Sequence, residues 1–246
     1  MPAINKNIIS LAETESTNNY AMQMVSDKYR EGTVVLAQYQ SSGRGQAGSY
    51  WESEAGKNLL MSLILEPKFL EAGKQFYLSM IVSLALVDLL NNHLKHVRIK
   101  WPNDIYVGNR KIAGILIEQS VKGAFIETSV VGIGLNVNQL NFYSDAPNPV
   151  SMKQVTGQNY ALDSILDEFL QELDRWYNLL REKNFDNIEK SYLQNLFRMN
   201  KWHEYRTHEE KFSARIVGVG EFGQLQLELR TGNIKSFQFK EVEFVF

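Results

Sequence analysis

The hydrophobic pattern of this chain changes character near residue 200. Before that point, apolar runs of strand length are interspersed with stretches of helical period, so both strands and helices are expected there. Beyond it come only short segments separated by tight turns: Phe212 to Val217, Gln224 to Leu229, Ile234 to Phe239 and Val242 to Phe246. We therefore expect a large domain over residues 1–197 and a small all-β domain over 198–246, close to the smallest size that folds without staples.

In the first part, Ile8 to Leu11 reads as a strand leading into Ser16-Thr17-Asn18, a natural helix cap, with Ala21, Met24 and Val25 following at helical spacing. Thr33 to Tyr39 and Asn58 to Leu65 read as strands on either side of a glycine-rich loop, Gly43 to Gly56. From Lys74 to Leu94 apolar residues cover most of a helix's circumference, which predicts a central, buried helix. Val97 to Lys100 is a short strand stopped by Pro102. Ile105 to Val107 and Lys111 to Gln119 predict a hairpin around Gly108-Asn109, and Ala124 to Val137 a long strand interrupted at Gly132 and Gly134. Amphipathic helices are expected over Leu162 to Leu180 and Asp186 to Phe197.

Composition narrows the functional classes. The 26 basic and 28 acidic side chains nearly cancel, so no overall charge excess points to nucleic acid. With no cysteine, disulfides, thiolate nucleophiles and thiolate-held metals are all excluded. The N-terminus lacks a secretory pattern, and the longest uncharged apolar stretch, Gln75 to Val87, falls short of the roughly 20 residues of a membrane span. We expect a cytoplasmic protein with neither membrane nor nucleic-acid partner. The four histidines have no zinc spacing, and no G-x-S-x-G elbow supports a serine hydrolase.

Chemistry concentrates in two stretches. Gly43 to Gly48 formally matches a dinucleotide fingerprint, but no helical period follows it, so that reading is disfavoured. Its glycines and Arg44 form either an anion cradle or a set of surface turns. The similar Gly218 to Gly223 precedes an alternating strand and reads as a hairpin turn. The second stretch, Lys95 to Lys111, holds five basic residues against the single acid Asp104. Such a focus suits a polyanion, although strand alternation could equally send Arg98 and Lys100 outward. Within it, Trp101-Pro102-Asn103-Asp104 places polar groups just past a strand end, where sheet ligands bind. Asp104 reads either as a magnesium ligand or as a turn former. Gly114 suggests close approach of another group to its strand.

Four ordered motifs, Ser16-Thr17-Asn18, Gly43 to Trp51, Lys100 to Glu118 and Val130 to Asn138, closely resemble those of the bacterial biotin–protein ligases, in a short form without the N-terminal DNA-binding domain. The resemblance implies an α+β fold: a class II synthetase-like catalytic domain with a mixed β-sheet flanked by helices, and a small C-terminal SH3-like β-barrel. It implies that biotin and MgATP give biotinyl-5′-AMP and pyrophosphate. Biotin then passes to a lysine of a biotin carboxyl carrier protein domain. Such chemistry needs fixed cations and aligned donors rather than a nucleophilic side chain.

Carried over by residue, the resemblance implies that Ser16, Thr17, Asn18 and Gln38 meet the fused-ring head of biotin. Arg44, Gly45 and Gln46 close over its carboxylate and the phosphates, with Gly43, Lys111 and Gly114 also at biotin. Trp51, Lys100, Asn103, Asp104, Lys111, Gly132, Gly134 and Asn136 serve ATP, with Asp104 toward Mg2+. Lys111, Arg44 and Lys100 are the catalytic cations. Many relatives carry a second arginine where this chain has Gln46, which would weaken its hold on pyrophosphate or the adenylate. The glycine loop is expected to be mobile without ligand. A lipoate–protein ligase and a non-enzymatic binding or scaffold protein are the alternatives, and a homodimer is left open.

Overall fold

The structure is a computed structural model that describes residues 7–25, 31–144 and 148–246. Its elements run, in chain order, β1 (Asn7–Thr14), α1 (Thr17–Met24), β2 (Thr33–Gln40), β3 (Leu59–Leu65), α2 (Phe76–Asn91), β4 (Val97–Lys100), β5 (Asp104–Val107), β6 (Arg110–Lys122) and β7 (Phe125–Leu135). There follow α3 (Met152–Thr156), α4 (Leu162–Arg181), α5 (Phe185–Asn195), β8 (Trp202–Arg206), β9 (Lys211–Val219), β10 (Leu225–Leu229), β11 (Ile234–Phe237) and β12 (Glu243–Phe244).

The first seven strands form one sheet in the order β1-β2-β3-β7-β6-β5-β4. Only β1 and β2 run parallel, so the sheet is mixed. Its centre is covered on both faces, and β3 is accordingly buried at every position. One face carries the main core: Leu59, Met61, Leu63, Val131, Ile133 and Leu135 pack in one cluster with α2 and α4. The other carries α1, where Ala21 joins Val35, Ile64 and Val130. The remaining five strands make an antiparallel sheet in the order β11-β10-β9-β8-β12.

The central helix begins at Phe76, after a 3-10 turn over Ala72–Lys74. By length and composition the stretch Ala72–Asn91 could cross a membrane, exceeding the span read from sequence, but 61% of its window is buried within the structure. Two elements were not anticipated. β8 is a short half-exposed strand with no clean alternation, and α3 is a single turn nucleated by a Ser151/Gln154 capping box.

Candidate active site

A cavity of about 1020 Å³ opens on the α1 face of the large sheet. Its floor is made where β6 and β7 pair, with Gly114 opposite Gly134 and Leu116 opposite Gly132. Strand alternation sends the even-numbered residues of β7 to this face. The missing side chains make room for two others. A Cβ at Gly132 would sit 2.2 Å from Asn18 Oδ1, and one at Gly134 2.3 Å from Trp51 Cε2. At Gly114 it would meet Trp51 Cζ3 at 2.8 Å. Trp51 thus lies against two glycines, its indole N–H buried and without a hydrogen-bond partner among the described residues.

The end beside α1 is polar and buried. Gln40 Oε1 accepts from the Thr17 backbone N–H at 2.8 Å and from its hydroxyl at 3.1 Å. Ser62 Oγ lies 2.8 Å from Thr17 Oγ1 and 2.5 Å from Asn18 Oδ1. The Asn18 amide donates to the Leu116 carbonyl and to Glu118 Oε2. Ser16 occupies the N-cap of α1, yet its side chain makes no capping bond, so the hydroxyl is not committed to the helix.

The opposite end is cationic. Lys111 Nζ pairs with Asp104 Oδ1 at 2.7 Å, and the same ammonium sits 5.4 Å from the Trp51 ring centroid. Lys100, across the β4–β5 register from Asp104, presents its ammonium to the rings of Phe244 and Tyr106. Burial, more than the charges of Lys111 and Arg198, pushes the pKa of Lys100 down, against an opposing pull from Asp104. Asn103 is locked by its amide donating to the Ile115 carbonyl.

The glycine loop borders both ends. Its backbone closes on itself through Gly45 N–H to Ser49 O at 2.7 Å and Trp51 N–H to Gly43 O at 2.9 Å. Arg44 donates to Glu118 through both terminal guanidinium nitrogens, at 2.7 and 3.3 Å, and also to Asn19 Oδ1. Gln46 Oε1 is buried with no hydrogen-bond partner among the described residues.

Of the residues singled out from the sequence, Ser16, Thr17, Asn18, Arg44, Gly45, Gln46, Trp51, Lys100, Asn103, Asp104, Lys111, Gly114, Gly132 and Gly134 line this one cavity. Three do not. Gln38 is exposed and shares its strand face with Val34 and Leu36, which pack toward the helices; Gln40, at the strand end, lines the cavity instead. Gly43 lies behind the wall, where a Cβ would strike Trp51 O at 2.5 Å. Asn136 is a buried brace between β6 and the α3 approach, its backbone N–H bonded to Ile112 O and its amide to Val150 O.

The second sheet contributes residues that no motif flagged: His208, Phe239, Lys240, Val242, Glu243, Phe244 and Phe246. The signal available was the alternation of Val242, Phe244 and Phe246, which puts three apolar side chains on one side of the chain. Among the described residues no three His, Asp or Glu side chains cluster as a metal site. A magnesium ion held by one carboxylate and substrate phosphates needs no such cluster, and Asp104 is suitably placed in the cavity for that arrangement.

Residues 10–136 match the model of the biotin/lipoate A/B protein ligase family. The chain is 31% identical over 226 residues to a biotin–[acetyl-CoA-carboxylase] ligase of Paracoccus denitrificans, covering 88% of this chain and 92% of that protein. It is 28% identical to a bifunctional ligase/repressor of Bacillus spizizenii, covering 93% of this chain and 71% of the other. Among solved structures, the biotin protein ligase of Aquifex aeolicus in complex with biotin and ATP superposes with a TM-score of 0.82 at 25% identity, covering 98% of this chain and all of that one.

Proposed function

Given that this chain belongs to the biotin/lipoate A/B protein ligase family, we propose that it is a biotin–protein ligase. It activates biotin with ATP to biotinyl-5′-AMP and pyrophosphate, then transfers the biotinyl group to a lysine of a biotin carboxyl carrier protein domain in the cytoplasm. Residues 1–197 carry most of the chemistry, and residues 198–246 close one side of the site. One observation carries this reading. Two lysines from separate strands share a cavity with a buried, hydrogen-bonding polar cluster.

In this reading the polar end, Ser16, Thr17, Asn18 and Gln40, holds the ureido ring. A ureido group is tolerable in a closed pocket only when its donors and acceptors are paired. The biotin carboxylate lies toward Lys111, and its oxygen attacks the α-phosphorus as pyrophosphate leaves. Two anions must meet for that step. Lys111 and Lys100 lower the repulsion and neutralise charge developing on the bridging and leaving oxygens. Trp51, seated on Gly114 and Gly134, offers a flat surface to the adenine, and Arg44 and Gln46 border the biotin carboxylate. Asp104 would hold magnesium, which when bound offsets phosphate charge. In the second half-reaction the lysine amine attacks the acyl carbon and AMP leaves. The loop and the second sheet keep water from the mixed anhydride.

Pyrophosphate exchange into ATP tests the reading directly. Exchange that depends on biotin and not on lipoate supports it; exchange with lipoate alone selects a lipoate ligase, and none with either removes the enzyme reading.

A further inference from the structure

Lys100 ends β4, so its backbone is fixed by the β4–β5 ladder, but its long side chain is not held there. The carboxylate across the register from it, Asp104, is engaged by Lys111. Among the described residues the Lys100 ammonium has neither an ion pair nor a hydrogen bond. Its nearest ring faces are instead those of Phe244, 4.9 Å from centroid to nitrogen, and Tyr106, at 5.4 Å. Phe244 comes from the other sheet, in a two-residue strand paired only with β8. It sits within an aromatic stack: Phe197 packs on Phe244 and Phe246, and Phe246 lies nearly parallel to Tyr106. Arg198 caps the same stack and donates to the Val245 carbonyl at 2.9 Å, tying the final strand to the junction between the sheets.

We propose that Phe244 is a positioning residue: its ring face holds the Lys100 ammonium over the cavity, where it meets the nucleotide phosphates. The role assigned to Lys100 rests on the function proposed above; the aromatic seat rests on the geometry. An aromatic ring attracts an ammonium through its quadrupole, and the attraction grows where water is excluded. An aliphatic side chain of similar bulk would fill the space without that attraction. The small β domain would then serve the adenylation step itself, by supplying the seat for a cation borne on the large sheet.

Phe244→Leu keeps apolar volume and loses the ring face, whereas Phe244→Tyr keeps both. The first should weaken MgATP binding and kcat/KM for ATP by about five- to thirty-fold, the range of a partly desolvated cation–π contact. The second should stay near wild type, KM for biotin should move little in either, and melting temperatures report the fold. Combining Phe244→Leu with Lys100→Met, with MgATP affinity measured by calorimetry, makes the decisive cycle. If Phe244 acts through Lys100, the leucine variant costs nothing further in the methionine background. Equal affinity in Phe244→Leu and Phe244→Tyr, or a leucine effect that persists without Lys100, overturns the proposal. Phe244→Met replaces the leucine variant if that one does not fold. The affinity cycle needs no biotin. Failure of biotin-dependent exchange in the wild type would therefore sink the ligase reading while leaving the aromatic seat to be judged by binding.

Discussion

Lys111 and Asp104 meet at 2.7 Å inside the cavity, with side-chain exposures of only 23% and 15%. The ion pair joins Asp104, the first residue of β5, to Lys111, the second of β6, and keeps the lysine pointed into the site rather than along the sheet. In the proposed reaction this lysine stands between the attacking carboxylate and the α-phosphate. Lys111→Ala should lower the rate of pyrophosphate exchange by about 10²–10³-fold or more, the size of losing one fixed oxyanion partner. Circular dichroism should show the native fold retained. A variant that still exchanges pyrophosphate near the normal rate removes Lys111 from the chemistry.

In the proposed function the two floor glycines lie under different substrates: Gly134, beneath Trp51, stays with ATP as the resemblance implied, whereas Gly132, against Asn18, lies at the biotin end instead. Alanine at Gly132 would run into the amide of Asn18, and alanine at Gly134 into the indole of Trp51. Either substitution costs roughly 1–3 kcal/mol of stability, the usual penalty of overpacking. Their kinetic effects should diverge. Gly132→Ala should raise KM for biotin and Gly134→Ala KM for ATP, each by roughly tenfold, equivalent to about 1.4 kcal/mol of lost contact. If both changes raise the same KM, the assignment of the two ends is wrong.

The large sheet was legible because burial on both faces writes long apolar runs: Leu59 to Leu65 could hardly be anything but an interior strand. The site was legible where chemistry and local geometry coincide, as in Lys100 to Lys111, whose turn brings Lys100, Asp104 and Lys111 together within one hairpin system. It failed at Gln38. Motif matching along a strand resolves position only to within a residue or two, and it is the place of Gln40 at the very end of β2, beside the start of α1, that makes it the partner of Thr17. The second sheet's contribution was invisible for a different reason. Phe244 and Phe246 read as ordinary strand residues, and nothing local says that their apolar side faces a cavity on another sheet instead of their own core.

Glu52 ties the chain after Trp51 to a distant loop, accepting the backbone N–H groups of Tyr143 at 2.8 Å and Ser144 at 2.7 Å. Burial acts to raise its pKa, but hydrogen bonds from Ser144 and Tyr143 together outweigh this and hold it below the ordinary value of 4.5. The unfolded chain therefore takes up this proton at a higher pH than the native one. The stabilisation is complete above the unfolded value and is lost as pH falls through the native one. Glu52→Gln should cost about 1 kcal/mol at neutral pH, the worth of a charged hydrogen bond partly replaced by a neutral one. Thermal unfolding of both proteins from pH 7 to pH 3 should show the gap closing toward acid. A gap that stays constant would mean the carboxylate charge plays no part.

Glu118 is shared between the two motifs that border biotin in the proposed function. One oxygen accepts from the Asn18 amide at 2.9 Å, and the pair of them takes the Arg44 guanidinium. Arg44 is 41% exposed, so this ion pair contributes little to global stability, within about 1 kcal/mol. Its value lies in orientation. With a neutral amide at 118, Asn18 loses a charged acceptor and Arg44 is released from β6, so both walls of the polar end loosen together. Glu118→Gln should therefore leave the melting temperature nearly unchanged while raising KM for biotin several-fold, equivalent to about 1 kcal/mol, with KM for ATP unaffected. Glu118→Asp, which keeps the charge on a shorter stem, should recover part of the loss. Equal effects on the two substrates, or a fall in stability large enough to account for both, would mean that Glu118 supports the sheet and not the site.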